Sequence, residues 1–61
     1  MTVRRYQIIV DDEWGISHEL DEVVGTFEAV ATIAGHMVDA WELQTGQEAQ
    51  LITLASLDKV E

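Results

Sequence analysis

Three consecutive carboxylates, Asp11, Asp12 and Glu13, stand just ahead of a serine–histidine pair, Ser17 and His18. Carboxylates at that density hold a divalent cation when they converge, and a hydroxyl on an imidazole nitrogen makes a nucleophile. Neither pattern closes. On extended backbone, neighbouring side chains point to alternate sides, so the three acids diverge. A calcium loop of the EF-hand type needs oxygen ligands at its first, third and fifth positions and glycine at its sixth. Counted from Asp11, Gly15 already occupies the fifth. Adjacency in sequence does not place the Ser17 hydroxyl on the His18 ring in catalytic geometry. His18 with Glu19, or His36 with Asp39 one helical turn on, would each supply half a metal site, and the spacing of the two histidines matches no ligand motif. The chain has no cysteine and no glycine-rich phosphate loop, and at 61 residues it lacks the walls of a deep pocket. The expectation is a protein that is not an enzyme and uses no metal or other cofactor.

The charge distribution is the stronger signal. Between Tyr6 and Asp58 there is no lysine or arginine, yet eleven of the twelve carboxylates lie there. Arg4, Arg5 and Lys59 are the only fixed cations, and the net charge is −9. Such a field opposes compaction and favours solubility, and it acts on partners at a distance. Nucleic acid and anionic lipid are excluded as direct partners, because both are bound through cationic side chains. No leader-like apolar run and nothing of membrane-spanning length is visible, which points to a cytoplasmic protein.

Any side chain that does chemistry must be positioned by very few elements. One domain over 1–61 is expected, with 48% hydrophobic residues supplying a core of marginal size. Residues 3–10 read as a strand, with Tyr6, Ile8 and Val10 on one side. The acidic run then ends it, facing solvent, and Gly15 allows a turn. Residues 16–27 are ambiguous, since Leu20, Val23, Val24 and Phe27 also continue the stripe of a helix. The Val-Val-Gly-Thr-Phe run favours a strand over 21–26, with Thr26 as N-cap of the helix that follows. A helix over 28–44 carries Phe27, Val30, Ile33, Ala34, Met37, Val38 and Trp41 to one side and Glu28, Thr32, Asp39 and Glu42 to the other, and Gly46 stops it. A last strand over 49–57 is apolar on both faces, as suits a central strand or one covered by a partner. The sum is an α+β fold, a ββαβ domain with one amphipathic helix on a short antiparallel sheet. The alternative is strand–long helix–strand, completed by dimerisation, so a homodimer is an open possibility.

The candidate partner-binding residues follow. Asp11, Asp12, Glu13, Glu19, Asp21 and Glu22 are dense over twelve residues, and the helix adds Glu28, Asp39 and Glu42. Trp14, set between Glu13 and Gly15, is placed as an exposed anchor, tryptophan being enriched at interface hot spots. A compact chain of this length has a radius of gyration of roughly 10–11 Å. Duplex DNA as long as such a body is wide carries on the order of 16 phosphates. The carboxylates here give a sparser field of the same sign. The competing reading is a solvated acidic surface, as in proteins adapted to high salt.

In size, charge and lack of catalytic motif, the chain is similar to the small acidic inhibitors of phages and mobile elements, among them anti-CRISPR proteins and DNA mimics. That resemblance spans the whole chain without a residue signature, so it transfers no site residues. It implies an inhibitor that occludes the basic surface of a nucleic-acid-binding protein or complex. The alternative is an antitoxin-like or structural interaction subunit that works through apolar faces, with the acids only solubilising it.

Overall fold

The computed structural model describes residues 2–57; Asp58 and Lys59, which enter the charge count above, lie outside them. In chain order the elements are β1 (Arg4–Asp11), β2 (Ser17–Gly25), α1 (Phe27–Thr45) and β3 (Leu51–Ser56). The expected α+β order holds, and the long-helix alternative does not form. Residues 17–25 are strand because β1 offers a full antiparallel ladder, from Arg4 opposite Gly25 to Asp11 opposite Ser17. That ladder begins four residues before the expected start at 21.

The three strands form one antiparallel sheet in the order β2-β1-β3. β1 is therefore central and β3 is an edge, so of the two readings of the last strand, central or covered by a partner, the central one is corrected.

Tyr6, Ile8 and Val10 alternate along β1 toward the helix and are buried. Val30 and Ala34 on α1 pack with Tyr6 and Ile8, with Leu20, Val23, Met37 and Leu54 at the margin, and Val38, four residues further along the helix, is buried too. Phe27 and Ile33 lie outside this core and are exposed, so the buried stripe is narrower than periodicity implied. The reason is that α1 lies over β1 and β2 and hardly touches β3.

A bulge in β2 corrects a conflict between ladder and pattern. The register shifts between Ile8 and Ile9, so that Leu20 has no partner of its own on β1 while Ile8 is opposite Asp21. Without the extra residue, strict alternation would aim the Asp21 carboxylate at the core. With it, Leu20 is half-buried and Asp21 is exposed.

Both helix ends are closed as the sequence indicated. Thr26 Oγ1 accepts from Ala29 N at 3.2 Å, and Gly46, at φ 72°, donates its N–H to Glu42 O at 2.9 Å. A left-handed residue there suits glycine because no Cβ is strained. No helix among the described residues is long and apolar enough to cross a membrane.

The body is elongated, 38 × 20 × 14 Å, with a radius of gyration of 12.0 Å against about 10.5 Å for a compact chain of this length. Its accessible surface is 4410 Å², where a monomer of 6.8 kDa exposes about 4,000 Å².

Candidate functional site

Asp12 organises the turn between β1 and β2. Its Oδ1 accepts from Trp14 N at 2.8 Å and Ile16 N at 3.0 Å, and its Oδ2 meets His18 Nε2 at 2.8 Å. Gly15, at φ 77°, donates to Asp12 O and completes the turn. Aspartate at the first position and glycine at the fourth are the residues such a turn selects. Asp12 is only 4% exposed, which corrects the reading of the whole acidic run as solvated. The His18 imidazole, helped by the two backbone N–H groups and opposed by burial, holds its carboxyl below the ordinary 3.8. The carboxylate is used up inside the turn and is not presented to a partner.

Two more acids have internal partners. Glu42 Oε2 accepts from Ala49 N at 2.8 Å and Glu13 Oε1 from Glu48 N at 3.0 Å. Together they hold the segment after α1 against the β1–β2 turn. Glu42, expected on the polar face of the helix, is half-buried for this reason. Asp11 is also half-buried and takes the Ser17 hydroxyl at 2.6 Å. That bond directs Ser17 to Asp11 and leaves Ser17 and His18 with separate partners.

Glu19, Asp21 and Glu22 are exposed along β2, the outer strand. Their neighbours across the ladder are Ile9, Ile8 and Gln7, none of them cationic. Glu19 and Glu22 pair with the β1 residues that point away from the helix, so they share the open face of the sheet. Glu28 and Asp39 are exposed on α1, on the other side of the molecule, about 16 Å apart along its axis. The ten candidates thus do not form one patch. The structure leaves Glu13, Trp14, Glu19, Asp21 and Glu22 exposed on the turn and the β2 edge, ties Asp11, Asp12 and Glu42 into internal hydrogen bonds around the same turn, and sets Glu28 and Asp39 apart on α1.

Trp14 is 77% exposed at the tip of the turn, with Ile16 exposed beside it. Trp41 is half-buried, and the His18 ring lies against it at 5.4 Å between centroids. The Asp12–His18–Trp41 arrangement escaped the sequence reading. The signal was available, because a four-residue turn starting at Asp12 brings residue 18 back beside it. Among the described residues, no three His, Asp or Glu side chains converge in a way that could hold a metal ion. A hollow of about 270 Å³ opens at the start of α1, lined by Thr2, Tyr6, Thr26, Phe27 and Glu28. It is smaller than the usual range for small-molecule sites and gathers no acid–base pair.

Comparison with protein-family models, curated proteins and solved structures finds no match to this chain.

Proposed function

We propose that this is a non-enzymatic binding protein that occludes a Lys/Arg-rich surface of a nucleic-acid-binding protein or complex. The observation that carries the reading is the β2 edge. Glu19, Asp21 and Glu22 are exposed in series there, with no cation among their partners across the ladder. Carboxylates exposed on an outer strand send their field toward solvent. Trp14 and Ile16 add an apolar contact at the adjoining tip. Contact of this kind forms fast and weakens as salt screens it.

The test is capture by tagged protein from a lysate of the source cell, washed from about 50 mM to about 500 mM salt. A basic nucleic-acid-binding protein should be retained at low salt, released at high salt, and missing when Glu19 and Glu22 are both changed to lysine. Retention unaffected by either manipulation would overturn the reading.

A second reading, an interaction subunit that works through apolar surface, draws on β3, where Leu51 and Ile52 are exposed on opposite faces of one strand. It expects a partner retained through the high-salt wash and lost when β3 is altered.

A further inference from the structure

The two edges of the sheet differ in kind. β2 carries Glu19, Asp21 and Glu22 along its length, and charges on an open edge block the addition of another strand. β3, the segment Leu-Ile-Thr-Leu-Ala-Ser, has no charge and no proline, and its register with β1 runs without a bulge. Among the described residues, none of the usual devices protects this edge. Its helix-side row is only partly covered, since α1 lies over the other two strands: Leu54 is half-buried at the core margin and Ile52 is 45% exposed.

The unused backbone groups can be assigned. Leu57 N donates to Arg5 O at 2.9 Å, which turns Leu57 toward β1. Alternate residues of an antiparallel strand turn the same way, so Leu51, Thr53 and Ala55 also face β1. Ile52, Leu54 and Ser56 are left with N–H and C=O directed at the free edge.

We propose that β3 pairs antiparallel with β3 of a second copy, about a twofold axis at Thr53, to give a six-stranded sheet. Residues opposite each other on a ladder must point to the same face, and this axis satisfies the rule. Ile52 then faces Leu54 of the second copy, and Leu54 faces its Ile52. Both pairs lie on the helix side, and both have outward N–H and C=O groups to exchange. Thr53 meets Thr53 of the second copy as a non-hydrogen-bonded pair.

Charge makes β3, and not β2, the edge at which two copies can meet. Two chains of net charge −9 repel, and β3 is a strand on which they can touch without opposing carboxylates. The acidic β2 edges end at opposite sides of the six strands, about 24 Å apart, or roughly three Debye lengths at physiological salt. This pairing does not depend on the occlusion reading, and its salt dependence has the opposite sign.

Sedimentation velocity of the whole chain, from about 1 to about 300 µM, tests the proposal. A species of twice the 6.8 kDa chain mass should appear with concentration and be strengthened by salt, which screens the repulsion. Thr53→Cys adds two further readouts. At the twofold the Cα atoms stand about 4.5 Å apart, within disulfide reach, so mild oxidation should link two chains quickly. Asp21→Cys, on the acidic edge, should link slowly. Ile52→Glu should weaken the dimer at least about a hundredfold, two unpaired carboxylates then being buried at the pairing edge. Unchanged far-ultraviolet circular dichroism of that variant would show that it still folds. A monomer at every concentration in high salt, or Thr53→Cys linking no faster than Asp21→Cys, would overturn the proposal.

Discussion

Asp12 shows how position changes what a carboxylate is for. In the sequence it is the middle of three equivalent acids; in the folded chain it accepts two backbone N–H groups and the His18 imidazole. Its carboxyl is held below the ordinary 3.8, chiefly by His18. Folding is therefore linked to its ionisation. The stabilisation is fully present above pH 3.8 and is lost as pH falls through the lower folded-state value. Acidification also relieves the repulsion among the other carboxylates, so the informative quantity is a difference. Urea unfolding of the native chain and Asp12→Asn, compared from pH 6 downward, should show a native advantage at pH 6 that shrinks below 3.8. A constant gap across that range would mean that Asp12 acts only through shape.

At the scale of elements, local chemistry was legible wherever one residue type has one job. Thr26 before the helix and Gly46 after it are found as read, and the buried Val30, Ala34 and Val38 lie on the expected stripe. Thr26→Ala should lower unfolding free energy by about 1 kcal/mol, because Ala29 N loses its acceptor. Gly46→Ala should cost about the same, through strain at positive φ. Ile8→Ala is a harsher case. Ile8 is fully buried at the centre of the sheet, and its truncation costs about 2–5 kcal/mol. A core of this size supplies about 3–5 kcal/mol, so circular dichroism of that variant at 25 °C should show a largely unfolded chain. The start of β2 was less legible. Ser17, His18 and Glu19 have weak strand propensity, and they are held extended by pairing with Asp11, Val10 and Ile9. The bulge at Leu20 was hidden for the same reason, since it answers to the register of β1 and to no local pattern.

Over the whole molecule, the open question is which surface meets a partner. The acidic β2 edge and the uncharged β3 edge lie on opposite sides of β1, and the two proposals give them opposite responses to salt. Binding carried by Glu19, Asp21 and Glu22 should weaken as salt rises, whereas self-pairing through β3 should strengthen. A titration from about 50 to about 500 mM salt, following captured partner and oligomeric mass in the same samples, separates the two contributions. If both fall together, the charges support assembly rather than oppose it, and the division of labour between the edges is wrong.

The sequence by itself determined the net charge, the first strand, the amphipathic helix and the caps of that helix. These follow from composition, or from residues acting within a few positions of one another. Only the tertiary structure decided which strand is central, which acids are consumed inside the fold and which face outward. Asp12 and Asp21 are the same letter, and one is buried at a turn while the other stands on an open edge. Leu51 and Ile52 read as the two faces of an inner strand or of one covered by a partner, and the sheet order, which leaves both exposed on an edge, removes the first of these. The physical reason is common to these cases. Burial and pairing are set by contacts between segments far apart in the chain, and a residue carries no local mark of the neighbour it will meet.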